Sequence, residues 1–427
     1  MMGRPVQHLL LLGIVMLFTL SSNMLYVLGI NYSASNASYL LKIHPSSYVF
    51  FFLILISPSI TSSPRRPELK RCGLLLIMVS TASLLLYQFF SVEAGGGESS
   101  LLIVTYAATG ALAVALSYAD TITLRQMKRF VSLFLLCNSL IGIAETSGFP
   151  RILPYVVGET IIGFDNRPTA LLGHPLNNAL ITGAWCLVIL LSNFRTPLNF
   201  WRLTVLGVHM IALLAFGGRA AVVVAALSYT CFVAYQATTT FLKGDSRDII
   251  RLAKLCIIAG AGVPILVYSG AADTVIERFL DSRGSDETRS AALVMLDLLS
   301  PGQWLFGVPV SVRTSIQALL GSTRGIEISW IALVYSFGLP ITAIVLVATY
   351  LTLRATTEEH DMGRAALLFY FFLTTLLSLS IGSKSLLVAQ FLVILACFAK
   401  PLEAPPLIHA GPKSRRPNFY DARSIGI

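Results

Sequence analysis

Five polar side chains lie at the edges of apolar segments and could carry chemistry. Arg167, His174 and Asn177 come just before or at the start of one apolar run. Arg219 lies in the turn FGGRAA between two such runs, and Glu327 is the last charge before ISWIALVYSFGLP. A guanidinium can hold phosphate oxygens in two-point contacts, and a His or Glu side chain can accept a proton. These residue types at the ends of apolar runs favour a site for a phosphate-bearing substrate at a membrane edge.

Each of these residues also has a purely structural interpretation. Arg219 could extend its guanidinium to the lipid headgroups, and His174 could be a hydrogen-bonded packing residue that shares a network with Asn177. Asp286 and Arg289 are three residues apart and could simply pair on a helix surface. A long polar segment adds further charges, which are Arg278, Arg283, Arg289, Arg313 and Arg324.

The elements that position these residues are apolar helices. Hydrophobic side chains make up 55% of the 427 residues and charged ones only 12%, with a mean hydropathy of +0.75. Such values are typical of a multi-pass membrane protein. Runs of sufficient length predict about twelve transmembrane helices, centred on 8–29, 46–61, 72–91, 100–118, 129–147, 171–192, 200–216, 219–242, 253–270, 328–352, 364–382 and 384–400.

The basic residues indicate the orientation of these helices. With the amino terminus inside, the clusters RRPELKR (65–71), RQMKR (125–129), KGDSRDIIRLAK (243–254) and KSRR (413–416) all lie on the inner side. The positive-inside rule therefore accounts for the net charge of +10 without a nucleic acid partner. Both termini are predicted to be cytoplasmic.

The predicted organisation is one all-α, multi-pass helical bundle with one large, partly helical outer loop. An amino-terminal transmembrane bundle covers 1–147, and a central part with an outer-face cleft covers 148–352, including the loop at 271–327. Two carboxyl-terminal helices follow over 353–400, and a flexible tail over 401–427. The loop pattern combines charges with apolar residues at helical spacing, as in DTVIERFLDSRGSDETRSAALVMLDLLS.

Several familiar chemistries lack their motifs in this sequence. It contains no GxxxxGK[ST], HExxH or GxSxG pattern, and no CxxC spacing among its six cysteines. We therefore expect no nucleotide, metal or other cofactor. The expected chemistry is performed by arginines with one acid or His on a lipid-embedded substrate.

The order of the motifs over 150–345 resembles the O-antigen ligase and polymerase family of bacterial inner membranes. The motifs that carry the resemblance are, in chain order, Arg167 ahead of GHPLNN (173–178), the turn GGRAA (217–221), Arg289 ahead of LFGVP (305–309), and EISWIALVYSFGLP (327–340). Glu327 and Ile328 stand where ligases of the family usually carry His-Asn, and Gly218 stands where Ser is common. The missing His favours a polymerase.

The resemblance implies a GT-C-like membrane enzyme of the bacterial inner membrane that needs no metal. Its donor would be an oligosaccharide on undecaprenyl diphosphate, and its acceptor a sugar hydroxyl on another lipid-linked unit. Arg219, Arg289, Arg278 and Arg167 would bind the diphosphate, Asn177 would contact substrate, and Glu327 or His174 would be the base. A flippase and a chain-length regulator would be protein partners, and the product would be O-antigen, capsule or exopolysaccharide.

Two other functions remain open from the sequence. A ligase would transfer finished polymer from the lipid carrier to a separate acceptor. A transporter of lipid-linked sugars would not be an enzyme, and such proteins commonly show repeat symmetry and ionisable residues at the membrane midplane. The sequence has no evident repeat, and its predicted spans contain almost no charge in their middles, which favours an enzyme.

Overall fold

The long apolar runs of the sequence form helices in a computed structural model of the chain. The structure describes residues 4–30, 32, 38–57, 63–90, 96–157, 160–163, 167–192, 199–243, 285–320, 326–357, 362–378 and 380–399. These residues are mostly helical, as predicted. The predicted span at 253–270, the residue Arg278 and the tail at 401–427 lie outside the described residues.

Helices alternate with short connections along the described chain. In order they are α1 Arg4–Thr19, α2 Ser22–Val27, α3 Pro45–Ile56, α4 Pro67–Phe90, α5 Gly96–Leu101, a π-helical segment Leu102–Ala107, α6 Ala108–Ser117, α7 Thr121–Thr146, α8 Pro175–Ser192, α9 Phe200–Ala215, α10 Arg219–Lys243, α11 Ser285–Asp297, α12 Pro301–Phe306, α13 Val310–Leu319, α14 Ser329–Phe337, α15 Leu339–Ala355, α16 Met362–Leu376 and α17 Leu387–Phe398. Strands β1 Val156–Val157 and β2 Thr160–Ile161 pair antiparallel between α7 and α8.

Five helical stretches in the described residues are long and apolar enough to cross a membrane. They are Pro67–Phe89, Glu98–Ser117, Thr121–Thr146, Pro175–Ser192 and Arg219–Thr239. Six further apolar helices have 10–17 residues, fewer than the roughly 20 that a straight helical span requires. The described fold is therefore compatible with a helical membrane protein, whereas a count of twelve spans goes beyond it.

The helices differ in how deeply they are buried, and the most buried one lies at the centre of the bundle. In the most apolar 18 residues of Glu98–Ser117, 94% are buried, against 22% in those of Arg219–Thr239. The central helix packs closely on α4, because a Cβ on Gly110 would lie 2.6 Å from the carbonyl oxygen of Gly73. Small residues that let helix backbones approach are typical of helix packing in membranes. Large apolar side chains such as Met78 and Phe89 on α4 remain exposed, as on a lipid-facing surface.

Three predicted spans are interrupted, and each interruption has a local cause. The span at 8–29 breaks where the Ser21 hydroxyl accepts from the Met24 backbone N–H and caps α2. The span at 328–352 breaks at Gly338, whose φ of 78° places it in the left-handed region. A Cβ there would lie 2.1 Å from the Leu305 carbonyl oxygen, so the break is where α12 packs against the bundle. The span at 100–118 contains the π-helical segment.

Residues 285–320, the described part of the predicted outer loop, are largely helical and dock on α14. Ala292 and Met295 of α11, with Leu299 just after it, join Ile331 and Tyr335 in one buried cluster. The Tyr335 hydroxyl donates to the Met295 carbonyl oxygen, and the Val308 backbone N–H donates to the Tyr335 carbonyl oxygen at 2.7 Å. The prediction of a partly helical loop is confirmed for residues 285–320.

Candidate functional site

The segment that leads into α8 is held by two polar side chains of α7. The Glu145 carboxylate accepts from the backbone N–H groups of Thr169 (2.8 Å) and Ala170 (3.0 Å). The Asn138 side-chain oxygen accepts from those of Leu171 (2.9 Å) and Leu172 (3.2 Å). Because unpaired backbone groups are costly when they are buried, these two residues allow a non-helical segment to exist inside the bundle. Ala170 accordingly keeps a φ of 40°, which is uncommon outside glycine.

A buried pair of asparagines fixes this segment to α8. Asn138 donates its side-chain amide to the Asn178 side-chain oxygen at 2.9 Å. The Asn178 amide nitrogen in turn donates to the carbonyl oxygens of Thr169 and His174, at 2.6 and 3.1 Å. Both asparagines are fully buried. Asn178 therefore has a structural role, while Asn177, the neighbour singled out from the sequence, is half-buried.

His174 caps the amino terminus of α8. Its Nδ1 accepts from the Leu176 backbone N–H at 3.2 Å, and its Nε2 lies 3.3 Å from the Tyr155 hydroxyl. An imidazole that accepts at Nδ1 carries its proton on Nε2 when it is neutral, so it presents a donor rather than a base to Tyr155. This geometry favours a structural role for His174 over proton abstraction.

The same cap occurs a second time in the chain. His44 precedes Pro45 as His174 precedes Pro175, and its Nδ1 accepts from the Ser46 backbone N–H at 3.2 Å. Proline at the first helical position has no N–H to satisfy, so the His side chain serves the next one. The repeated His-Pro dipeptide was the sequence signal for both caps, and our sequence interpretation did not use it.

Arg167 lies on the segment that precedes α8 and is half-buried. Arg151 braces this segment, since its guanidinium donates to the carbonyl oxygens of Arg167 (3.1 Å) and Ile162 (3.4 Å). Asn23, between α1 and α3, donates to the Gly173 carbonyl oxygen. The backbone that carries Arg167 and His174 is thus tied to three other parts of the bundle.

Arg219 is the first residue of α10, and glycine fixes its place beside α8. A Cβ on Gly218 would lie 2.3 Å from the Cβ of Ala179, so only glycine allows the two helices to approach this closely. Ala179 is in the first turn and a half of α8, after His174 and Asn177. The half-buried Arg219 therefore begins its helix at the same end of the bundle as the α8 cap. Gly218 stands where the resembled motif commonly has Ser, and the close approach to Ala179 is a physical reason for glycine at this position.

Glu327 lies directly before α14, and the next turn binds the loop between α16 and α17. The Ser329 hydroxyl donates to the Ser378 carbonyl oxygen and accepts from the backbone N–H groups of Ile381 (3.1 Å) and Gly382 (3.0 Å). From the π-helical segment, the Tyr106 hydroxyl donates to the Ile381 carbonyl oxygen at 2.8 Å. π-Helical turns occur frequently at functional sites. The half-buried Glu327 is thus placed next to a loop held from two helices.

That loop carries Lys384, a cation that sequence reasoning missed. Its ammonium donates to the Tyr32 carbonyl oxygen at 2.6 Å and lies 3.6 Å from the centre of the Tyr32 ring. Burial first, and then the charge of Lys42, lowers the pKa of Lys384 to about 8. Burial, together with the Lys384 charge, lowers the pKa of His44 to about 4. Tyr32 and Lys384 are far apart in sequence, so no local pattern joins them.

The predicted outer loop carries an exposed cation, Arg289, and a second, Arg313, that pairs with Glu98. Arg289 is exposed on α11. Arg313 donates from one nitrogen to the Glu98 carboxylate at 2.6 Å and from the other to the Ser336 hydroxyl at 3.0 Å. The two charged side chains are only 20% and 12% exposed. Arg313 therefore anchors the loop to the bundle.

A continuous series of contacts connects these residues at one end of the bundle. It runs from the start of α10 to α8, on to Asn23, then through Leu20 to His44, whose Nε2 lies 2.6 Å from the Leu20 carbonyl oxygen. From His44 it continues by a ring contact of 5.7 Å to Tyr32 and then to Lys384. The loop of Lys384 ends the series at Ser329, two residues from Glu327. These contacts join the segments that carry Arg219, His174, Lys384 and Glu327 into one connected part of the bundle.

The described residues contain no group of three or more His, Cys, Asp and Glu side chains arranged to hold a metal ion. Comparison of the chain with protein-family models, with curated proteins and with solved structures finds no match. The family resemblance therefore rests on the motifs alone. The predicted roles of all the candidate residues stay predictions, and these residues are Arg167, His174, Asn177, Arg219, Arg278, Arg289 and Glu327.

Proposed function

We propose that this protein is a metal-independent glycosyltransferase of a bacterial inner membrane, which polymerises oligosaccharide units linked to undecaprenyl diphosphate. Its product is a surface or exported polysaccharide. The proposal combines the motif resemblance with the connected segments described above, which carry Arg219, His174 and Glu327. A lipid-borne diphosphate would present its charge at such an end of an apolar bundle.

In the proposed reaction an acceptor hydroxyl of one lipid-linked unit attacks the anomeric carbon of another. A carbon–oxygen bond forms there, and the bond from the anomeric carbon to the diphosphate oxygen breaks. The hydroxyl proton passes to the carboxylate of Glu327, and undecaprenyl diphosphate leaves with both bonding electrons. Arg219, Arg289 and Arg167, with Arg278 as a further candidate, would stabilise the charge that develops on the diphosphate.

The observation that carries the proposal is the placement of Arg219. Only glycine at 218 lets α10 begin against α8, which brings this guanidinium to the end of the bundle where His174 and Asn177 open α8. Arginine suits this role because its planar fork matches two phosphate oxygens. Glu327 supports the proposal as the base, since the hydrogen bonds of His174 already cap a helix.

The test is a polymerisation assay with purified protein in lipid, given undecaprenyl-diphosphate-linked repeat units, without ATP and with EDTA. We expect a ladder of longer lipid-linked glycans. Arg219→Ala lowers the rate about a hundredfold, as loss of one charge-stabilising donor does elsewhere. Arg125→Ala, an exposed arginine at the opposite end of the bundle, is the matched control and leaves the ladder unchanged.

A second pair of variants separates the two candidate bases. Glu327→Gln removes the proton acceptor, and its rate falls by about two to four orders of magnitude. His174→Asn keeps a side-chain acceptor for the helix cap and retains most of the activity. An inactive His174→Asn protein of normal stability, beside an active Glu327→Gln protein, would reverse the assignment.

The same assay discriminates the other two functions. Glycan that appears only when a separate, non-lipid-linked acceptor is supplied identifies a ligase. No turnover in either condition, with lipid-linked units moved across a vesicle membrane, identifies a transporter. A ladder that Arg219→Ala leaves unchanged would refute the diphosphate site while leaving the polymerase intact.

A further inference from the structure

A groove between α15 and α16 lies at the end of the bundle opposite the site described above. It encloses about 530 Å³. The residues that line it are Tyr350, Arg354, Arg364, Ala365, Leu368, Phe369 and Phe372. On α15 the lining residues are one turn apart, and on α16 they recur at helical spacing, so each helix contributes one face.

The groove is polar at one end and aromatic at the other. Arg354 lies in the last turn of α15, and Arg364 lies in the first turn of α16. Further along α16, Phe372 contacts Tyr350 edge-on, with ring centroids 5.7 Å apart. Arg364 and Phe372 are eight residues apart, about 12 Å along a helix. Tyr350 and Phe369 are 40% and 45% exposed, so the aromatic end opens to the lipid-facing surface.

The two guanidiniums concentrate positive charge at the polar end. Arg364 donates to the carbonyl oxygens of Thr357 and Arg354, the latter at 3.4 Å, and to the Thr357 hydroxyl at 3.1 Å. These bonds draw the two arginines together although their charges repel. In the described part of the chain, neither guanidinium forms an ion pair with a carboxylate. Two adjacent cations that have no carboxylate partner among the described residues favour an anionic ligand.

From this arrangement we infer that the groove binds an anionic phospholipid of the adjacent leaflet. The headgroup phosphate binds between Arg354 and Arg364, and the first part of an acyl chain lies along Leu368, Phe369 and Phe372. Basic pockets between transmembrane helices are a recognised way to bind such headgroups. The order from charge to aromatic ring matches the order of a lipid from headgroup to chain. A soluble anion would make no use of the aromatic end.

The test is a lipid titration of the purified full-length protein in a neutral detergent, with thermal unfolding as the readout. Dioleoyl-phosphatidylglycerol raises the unfolding midpoint at lower lipid concentrations than dioleoyl-phosphatidylcholine does. Arg354→Gln raises the phosphatidylglycerol concentration at half-effect about fivefold, since one basic side chain near a membrane contributes about 1 kcal/mol. Arg354→Lys keeps the charge and most of the preference.

Control variants keep the inference open to refutation. Arg125→Gln removes an exposed arginine from the same end of the bundle and leaves the lipid preference intact. Arg364→Gln also removes bonds to Thr357, so a low midpoint without lipid would report that structural role. Equal effects of the two lipids on the wild-type chain, or a full preference in Arg354→Gln, would overturn the inference. Inorganic phosphate that reproduces the whole shift would show that the site takes a free anion instead.

Glu358, Glu359 and Asp361 follow Arg354 in the sequence and lie outside the described residues. If these carboxylates occupied the groove, the wild-type protein would show no preference for phosphatidylglycerol. Neutralising all three would then create one. The lipid titration uses no glycan substrate, so its outcome is independent of the proposed glycosyltransferase activity.

Discussion

Replacing Asn138 by Leu tests whether α7 side chains hold the segment that leads into α8. The substitution preserves the approximate size of the side chain and removes its hydrogen-bonding atoms. The backbone N–H groups of Leu171 and Leu172 lose their acceptor, and the Asn178 side-chain oxygen loses its donor. The Asn178 amide cannot turn to compensate, because its nitrogen donates to two carbonyl oxygens.

The expected cost follows from the three groups left without partners. A buried donor or acceptor without a partner costs about 1–3 kcal/mol. Leu171 is only partly buried, so a total of about 3 to 6 kcal/mol in the free energy of unfolding is expected. The protein is unfolded reversibly in mixed detergent micelles and followed by circular dichroism. Thr146→Val on the same helix removes a hydroxyl that bonds within the helix, and it costs less than about 0.5 kcal/mol.

A double-mutant cycle isolates the asparagine pair itself. Asn178→Leu lowers the free energy of unfolding less in the Asn138→Leu background than in the wild type. In that background the Asn178 side-chain oxygen has already lost its donor. The coupling energy is expected to be about 1–2 kcal/mol. An Asn138→Leu protein within about 0.5 kcal/mol of the Thr146→Val control would refute this account of the segment.

Three further predictions concern other contacts at this end of the bundle. Gly218→Ala destabilises the protein by about 1–3 kcal/mol through overpacking against α8, whereas Gly207→Ala, with open space around its Cβ, is neutral or stabilising. In a double-mutant cycle the partly buried pair of Glu98 and Arg313 shows a coupling of about 1–2 kcal/mol in the free energy of unfolding. Between pH 7 and pH 5 the free energy of unfolding falls by about 2 kcal/mol through His44. The pKa of His44 is about 4 in the folded protein and 6.5 ordinarily, so the unfolded chain binds a proton in this range that the folded protein does not.

Each of these predictions has its own control. The exposed pair of Glu68 and Arg71, at 2.8 Å, gives less than about 0.5 kcal/mol in the same cycle, since solvent screens it. Equal coupling in the two ion pairs would contradict the role of burial. His44→Gln removes the titrating group, so the difference between its pH profile and that of the wild type isolates this histidine. A parallel pair of profiles would show that His44 does not titrate with folding.

Most helices could be predicted from the sequence, because hydropathy over a run of apolar residues is a local property. Their interruptions could not be predicted. The break at Gly338 depends on contact with the Leu305 backbone, and the π-helical segment places Tyr106 against the loop after α16. Both causes join residues distant in sequence. Local composition therefore predicts where a helix lies better than where it breaks.

In the candidate site, too, the residues with a local signal could be predicted and those that depend on distant contacts could not. His174 and Arg219 stood out because polar groups at a membrane edge are unusual, whereas Asn138 and Glu145 passed as ordinary residues near the end of α7. Their role depends on a segment more than twenty residues away, which is visible only when the helices are packed. Lys384 was missed for the same reason, since its partner Tyr32 lies at the other end of the chain.

At this end of the bundle some polar side chains bind backbone N–H groups, and these side chains have a structural role. A non-helical segment near a membrane must satisfy each backbone N–H, and here Asn138, Glu145 and His174 supply the acceptors. A side chain whose acceptor atoms serve the backbone cannot take a proton from a substrate without releasing that backbone. This competition favours a capping role for His174, while the assignment of the base to Glu327 or His174 stays a prediction. It also explains why a polar residue at a membrane edge is not, by that position alone, a catalytic residue.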